Sequence, residues 1–512
     1  MRTTFRKHGV RLGLTPLALA VIASCSGGSS SDGRTGTTGA GSGTPVTGAG
    51  TGTAGKNAFG NGATQPGQLP TQSTMSTVDA GMCVNLQCQK TKCTGSAKTT
   101  ISGKVYDPAG KNPIYNVAVY VPNEPVQPLK SGASCDTCDS LYTGNPVAAG
   151  LTDATGQFEV DDAPDGANIP LVIQVGKWRK QITLPMVRAC ADNPLPDKML
   201  TLPKSHMEGD IPNMAVSTGG ADTLECLLAR VGVDPAEYVP GEGGPGRLHI
   251  FQGSARGGGL GGLGGGGQHN VPNTSPAAPM APMAMWDTLD HLMQYDIVLL
   301  SCEGAETQMM NQQAMHDYAS AGGRVFASHF HYSWFNTGPY GMENLATWTT
   351  GSNSIGNING TIVTTLPNGQ PFPKGQALAM WLGTVGALTN GELPIEQARH
   401  NADVSATNTP SQPWILSDQS AMPPGATEYF SFNTPTNAQM TPDGPGYCGR
   451  VVYSDLHVGA ASMDDPSQPV PAECTNRDLS PQEKALEFML FDLSSCLTPN
   501  NVPPRPPTIK VQ

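Results

Sequence analysis

The sequence predicts an α/β protein in which a small antiparallel β-sandwich precedes a mainly parallel α/β sheet carrying long insertions. Three observations support this. Between 97 and 203 short runs place apolar side chains at every second position, the period of a strand with one buried face. From about 208 strand-like runs alternate with helical ones, the pattern of a parallel sheet buried on both faces. Gly-rich and Pro-rich stretches before and between them lack the apolar residues that ordering would require.

In the first region the runs are TTISGKVYDP, VAVYVPN, GQFEVDD and IPLVIQVGKW, with Val117, Val119 and Val121, then Leu171, Ile173 and Val175, in alternation. Asp107-Pro108-Ala109-Gly110 and Asp153-Ala154-Thr155-Gly156 supply turn chemistry between them. ISGKVYDPAG, NVAVYVPN and TDATGQFEV together resemble the carboxypeptidase regulatory-like, transthyretin-like domain, with the Cys135 region as an insertion. That resemblance implies an accessory module that positions or binds and performs no chemistry.

In the second region PNMAVSTGG reads as a strand, and Asp222-Thr223-Leu224-Glu225 as a capping-box-like opening to the helix DTLECLLARVG, stopped by Gly232. RLHIFQG, YDIVLLSCEG, the helical MNQQAMHDYASAGG and RVFASHF continue the alternation. The chain returns through CGRVVYSDLHVG to a last helix, SPQEKALEFMLFDLSS, opened by Ser480 with Glu483 three residues on. The expected architecture is flavodoxin-like over 208 to 497, followed by a Pro-rich tail from 498 to 512. GGGLGGLGGGG contains the letters of a nucleotide fingerprint at Gly259, Gly261 and Gly264, but it runs on into QHNVPNTSPAAPMAPM rather than a helix. It reads as a flexible insertion. Residues 338 to 440 read as an irregular excursion closing over one edge of the sheet.

The amino terminus gives an address. Arg2, Arg6, Lys7 and Arg11 precede the short apolar core LTPLALAVIAS, too short for a stable membrane span. Ile22-Ala23-Ser24-Cys25 resembles a bacterial lipobox. The resemblance implies that residues 1 to 24 are a lipoprotein signal peptide, that Cys25 carries lipid, and that a membrane is a partner. With Ser26 next, it implies a lipid-anchored place in the cell envelope, at the outer membrane. Residues 25 to 77 read as a Gly/Ser/Thr tether and 78 to 96 as a Cys-rich segment. Without the leader the formal charge moves from −12 to about −16, and nucleic acid is excluded because phosphate binding needs a basic patch.

Eleven cysteines remain after Cys25: Cys83, Cys88, Cys93, Cys135, Cys138, Cys190, Cys226, Cys302, Cys448, Cys474 and Cys496. Export favours disulfides, and the odd count leaves one thiol free or paired to another molecule. Zinc on Cys83, Cys88, Cys93, Cys135 and Cys138 is the weaker alternative, since no pair of histidines lies nearby.

Functional groups in an open parallel sheet collect at the carboxyl ends of its strands. LLSCEG, ASHFHYSW and YSDLHVG end in polar residues there, and alternation places His329 with His331, and Asp455 with His457. These four read as polar strand ends under a capping loop that need no cofactor; the alternative is a metal site for zinc or another divalent ion. YDIVLLSCEG, AGGRVFASHFHYSW and GRVVYSDLH resemble the class I glutamine amidotransferase-like fold, more closely its trehalose-utilisation-type branch. The resemblance implies an oxyanion loop at Ser301 to Gly304, the nucleophile position at His329 and the base at His457. A histidine stands where the family has its cysteine, and His331 where the tight elbow has a glycine, so glutamine hydrolysis is not expected. The remaining catalytic candidates are Cys302 and Ser328; Cys302 lies on another strand, and Ser328 lacks the flanking glycines of a nucleophile elbow.

The expected function is binding or scaffolding at the envelope, with a polysaccharide or peptide as ligand; Trp334, Tyr340, Trp348 and Trp381 are candidates to stack on sugars. The competing class is a metal-assisted hydrolase acting on an envelope or extracellular polymer. Cys25→Ala is expected to move the protein from the membrane fraction to the soluble fraction, because one polar tether gives no hold on a bilayer without acyl chains. Fractionation after a salt wash checks it, and a variant still bound to membranes contradicts the anchor.

Overall fold

The structure is a computed structural model, and it describes residues 83–253, 278–439, 446–458, 464 and 468–509. The leader, Cys25, the tether and Gly259, Gly261 and Gly264 lie outside the described residues.

Eight strands form the sandwich: β1 (Thr100–Tyr106), β2 (Ala118–Pro122), β3 (Pro146–Leu151), β4 (Gln157–Val160), β5 (Gly166–Val175), β6 (Trp178–Val187), β7 (Asp192–Pro194) and β8 (Leu200–Thr201). One sheet runs β3-β2-β5-β6, all antiparallel. The other runs β4-β1-β7, with β8 also on β1, and β7 and β8 pair with β1 in parallel. The alternating Val117, Val119, Val121, Leu171, Ile173 and Val175 are all buried in its core. A short helix, α1 (Cys138–Leu141), lies in the segment between β2 and β3.

The second sheet is assembled from β9 (Met214–Thr218), β10 (Tyr238–Pro240), β11 (Leu248–Gln252), β12 (Ile297–Leu300) and β13 (Arg324–Ser328), then β15 (Ser354–Ile362), β16 (Leu393–Arg399), β18 (Gln412–Ser417), β19 (Thr427–Thr434) and β20 (Gly449–Ser454). A separate ribbon pairs β14 (Thr347–Trp348) with β17 (Ala402–Asp403). Spatial order in the large sheet is β10-β11-β9-β12-β13-β20-β19-β18-β15-β16. From β10 to β20 every pairing is parallel. The run β11-β9-β12-β13-β20 has the 2-1-3-4-5 order of flavodoxin-like sheets. The fold class is α/β, as expected, but the sheet is mixed. Residues 338 to 440 do not form an irregular cover: β15, β16, β18 and β19 extend the sheet antiparallel beyond β20. Their Gly, Pro and Asn content reflects the turns and bulges between strands, which periodicity alone reads as loop.

The helices are α2 (Leu224–Val231), α3 (Ala281–Ala284), α4 (Leu289–Met293), α5 (Gln312–Ser320), α6 (Pro373–Thr384) and α7 (Pro481–Ser494). Strand alternation sorts the sheet's side chains into two cores. Met214, Val216, Ile297, Leu299, Phe326 and Val452 face α2, α6, α7 and the sandwich. Ala215, Val298, Leu300, Val325, Ala327 and Tyr453 face the side of α4 and α5. Burial on both faces explains why these strands read as unbroken apolar runs.

Helix α7 joins the sandwich to the sheet. Phe491 meets Trp178 edge-on at 5.7 Å, and Phe488 stacks on Tyr115 at 5.6 Å. In the β5–β6 turn Gly176 has φ 55°, and a Cβ there would collide with the Ser494 carbonyl, so the hairpin closes on the helix only without a side chain. Two disulfides, Cys135–Cys448 and Cys138–Cys496, tie the insertion of the sandwich to the ends of β20 and α7. Cys83–Cys88, Cys93–Cys190 and Cys226–Cys474 complete the set, and among the described residues Cys302 is the free thiol. The cysteines weighed as zinc ligands are therefore all consumed as disulfides.

Glu487 of α7 is fully buried, accepts from Asn112 Nδ2 at 2.6 Å on one oxygen, and has no donor for the other. Burial, then the neighbouring Asp107 carboxylate, pushes its carboxyl well above the usual glutamate range, and the retained proton supplies a hydrogen bond to Asp107. A raised folded-state pKa contributes stability below the unfolded value that is lost as pH rises through the folded one. Glu487→Gln keeps the donor and cannot ionise. It is expected to match the natural protein near pH 5 and exceed its stability at pH 8 by more than about 1 kcal/mol, measured by urea unfolding at both pH values.

Candidate functional site

The four central strands β9, β12, β13 and β20 are neighbours and parallel, so their carboxyl-terminal loops all emerge at one edge. Opposite Ser328 in register is Ser454, and opposite Ala327 is Leu300. Cys302, His329 and His457, just beyond the ends of β12, β13 and β20, meet there. One ligand atom from each lies within 4.8 Å of the other two. Cys302 Sγ is 3.2 Å from His329 Nδ1, and the rings of His329 and His457 stand edge to face with centroids 5.1 Å apart.

His329 has φ 41° immediately after the strand, in the left-handed region that a non-glycine residue avoids. The chain turns at this point from β13 into the helical turn His329–Trp334. Tyr453 holds the turn by donating its hydroxyl to the His329 carbonyl at 2.9 Å. On the next loop Gly219 passes so close to the Cys302 carbonyl that a Cβ would collide with it, while Ala221 N donates to that carbonyl at 3.0 Å. The backbone amides of Gly304 and Phe330 lie close enough to Cys302 to lower its thiol somewhat against burial.

The site is closed: Cys302, His329 and His457 are 0%, 1% and 3% exposed. Burial pushes the Cys302 thiol up to about 12, and holds His329 down to about 2 and His457 to about 3, with the Arg399 charge adding to both. All three are neutral, and Cys302 Sγ and His329 Nδ1 share one hydrogen bond whose direction the His329 tautomer sets. The Ser352 carbonyl lies near the His329 ring, and His457 Nε2 makes no hydrogen bond. A buried polar atom without a partner costs about 1–3 kcal/mol, so this edge carries an unmet demand.

Two of the four residues expected as a metal set stay apart from this group. His331 is a core histidine: Nε2 donates to the Ser301 carbonyl at 2.9 Å, and Nδ1 accepts from Trp334 Nε1 at 3.1 Å and lies 2.8 Å from Thr307 Oγ1. Alternation put His331 beside His329, but the strand ends at Ser328 and the helical turn sends the two rings to different partners. Asp455 Oδ1 shares the Tyr453 hydroxyl, 2.9 Å away, with the His329 carbonyl, and Oδ2 accepts from Asn401 N at 2.8 Å, so both of its oxygens are engaged. Ser328 donates to Asp222 Oδ2 at 2.5 Å instead of to an imidazole, which leaves no activated serine nucleophile.

Asp222 is the residue the sequence misassigned. Helix α2 is present and stops at Gly232 with φ 107°, but no side chain caps its start. The Asp222 carboxylate instead joins three elements, taking Ser328 Oγ, Val458 N at 2.7 Å and Thr223 N at 3.0 Å. Burial pushes its carboxyl up to about 6 against those three donors. The only signal in the sequence was its position after a strand-like run, at the edge where functional groups collect.

No protein-family model matches the chain, and no curated protein matches it. Among solved structures, matches include a C-terminal interface mutant of a type II cohesin–X-dockerin complex from Acetivibrio cellulolyticus, at 18% identity over 20% of this chain and 56% of that chain, TM-score 0.13. An N-terminal interface mutant of the same complex matches at 15% identity over 27% and 85%, TM-score 0.16. A 9R-lipoxygenase from Cyanothece PCC8801 matches at 14% identity over 22% and 18%, TM-score 0.10. The match to the first of these spans little more than half of that chain, and at such TM-scores the likeness carries no argument.

Asp222→Ala is expected to destabilise the chain by on the order of 3 kcal/mol, because three buried donors lose their acceptor. Urea unfolding at pH 7 measures it. A loss below about 0.5 kcal/mol, ordinary for a surface change, would mean that Asp222 does not organise this edge.

Proposed function

We propose that the chain is an envelope lipoprotein, anchored through Cys25, that binds or scaffolds a polysaccharide or peptide with an amidotransferase-like domain that no longer hydrolyses glutamine. The observation that carries this reading is the occupied elbow. His329 takes the left-handed turn that the nucleophile of the resembled family would take. The backbone amides of the residue after it, Phe330, and of Gly304 lie close enough to Cys302 to lower its thiol against burial. Donors arranged in this way stabilise an oxyanion when a substrate carbonyl enters; here the protein's own sulfur fills the place. A thiol pushed up to about 12 and fully buried is a poor nucleophile.

The sandwich fits the accessory role that its likeness to transthyretin-like domains implies, since its disulfides and α7 hold it against the sheet. The aromatic set proposed for sugar stacking narrows. Trp334 and Trp381 are core residues, Trp348 is half-buried with its Nε1 on the Glu343 carbonyl, and Tyr340 alone is well exposed, against His316.

Incubated with glutamine, the purified chain should release no ammonia, and incubated with envelope polysaccharide or its peptide crosslinks it should co-sediment with them. Ammonia release that disappears in Cys302→Ser would replace the proposal with a hydrolase. Failure to bind either polymer would remove the scaffold reading.

A further inference from the structure

We infer that Cys302, His329 and His457 form a site for one thiophilic transition-metal ion, zinc(II) or copper(I), held by a single thiolate and two neutral imidazoles. The inference requires neither the anchor nor the polymer ligand. It replaces the set His329, His331, Asp455 and His457, whose second and third members are fully engaged elsewhere.

Four features of the structure meet at this place. The donor atoms are gathered already, each within 4.8 Å of the others and Cys302 Sγ 3.2 Å from His329 Nδ1. Ligands at the usual 2.0–2.3 Å from zinc stand about 3.5 Å from one another, so the Cys302–His329 pair would open slightly and any wider pair close by at most about 1.3 Å. His457 Nε2 is buried without a partner, which shows that the pocket's own hydrogen bonding does not satisfy that ring. The backbone amides of Gly304 and Phe330 lie close enough to Cys302 to lower its thiol against burial, and dipoles beside a ligand sulfur help offset a thiolate's charge. Finally, Cys302 is the one described cysteine outside a disulfide in a chain with five of them.

The donor set decides the class of ion. One sulfur and two imidazole nitrogens suit zinc and copper(I), whereas magnesium and calcium require oxygen ligands. Asp222 and Asp455 are committed to other donors, and no fourth ligand completes the group among the described residues. Zinc would therefore add a small external ligand, and copper(I) would be content with three. Binding displaces a single proton, that of the Cys302 thiol, which passes to solvent as the metal–sulfur bond forms. The imidazoles are already in their ligand form, so apparent affinity should rise about tenfold for each unit of pH across the neutral range.

The test uses the mature chain with its disulfides intact, treated with chelator and then titrated without reductant with zinc(II), cobalt(II) as a spectroscopic stand-in, and copper(I) supplied as its acetonitrile complex. The expected result is about one equivalent bound, a cobalt–thiolate charge-transfer band, and a metal-dependent rise in the unfolding midpoint. Cys302→Ser and His457→Ala should each lose all three. Cys302→Ser is nearly isosteric, and its circular dichroism without metal establishes that it folds; should His457→Ala fail to fold, the cobalt spectrum of Cys302→Ser decides. Binding of less than about a tenth of an equivalent of every ion by the natural chain would overturn the site. So would equal binding by Cys302→Ser, or a cobalt complex without a thiolate band.

Discussion

Helix α7 is the constraint on which the rest of the structure depends. It is buried on nearly every side, yet its sequence carries Glu483, Glu487 and Asp492 at positions that face protein. Removing a charge from water costs several kcal/mol unless a partner is in place, so each carboxylate demands a particular neighbour. Glu483 takes Arg230 from α2 at 2.8 Å together with Arg477, and Asp492 takes Lys374 from α6 at 2.6 Å and Arg450 from β20 at 2.5 Å. Glu487 keeps its proton and binds Asp107 and Asn112 of the sandwich. Apolar contacts could slide along such a helix; these pairings fix its register.

That register extends to the edge where the three histidine and cysteine side chains meet. Gln482, in the first turn of α7, donates to the His457 carbonyl at 2.7 Å. Arg230 pairs with Asp464 as well as Glu483, and Thr223 donates to Asp464 at 3.0 Å, so the start of α2 and the segment after β20 are clamped together. Asp222 then bridges that clamp to Ser328 at the end of β13. The strained His329 backbone is retained because strands, Tyr453 and Asp222 over-determine it from several sides. A closed, rigid edge of this kind suits holding something small, so a polymer would dock on another part of the surface.

Much of this architecture was legible in the chain. Alternation found the sandwich strands, and the Ser480–Glu483 capping box marked the start of α7, where both reciprocal hydrogen bonds are made. The parallel strands were recognisable by their apolar runs, and the polar residues that end them pointed to the right edge of the sheet. The excursion from 338 to 440 was not legible, because its strands are bulged and interrupted by residues such as Gly356, Asn359, Pro394 and Pro413 that read as turn signals. Within the site, His329, His457 and Cys302 were all candidates, but the grouping was wrong. Periodicity assigns faces only while a strand continues, and this strand stops one residue before the first histidine.

The sequence by itself determined the fold class, the five core strands, the odd cysteine count and the polar strand ends, because each is a local pattern written in periodicity, turn residues and composition. Only the tertiary structure decided which cysteines pair across as many as 358 residues, that sandwich and sheet share one core around α7, and that Cys302 rather than His331 or Asp455 completes the cluster. Those outcomes depend on where side chains from distant strands meet and which donor reaches a buried acceptor first. No single stretch of the chain contains that competition.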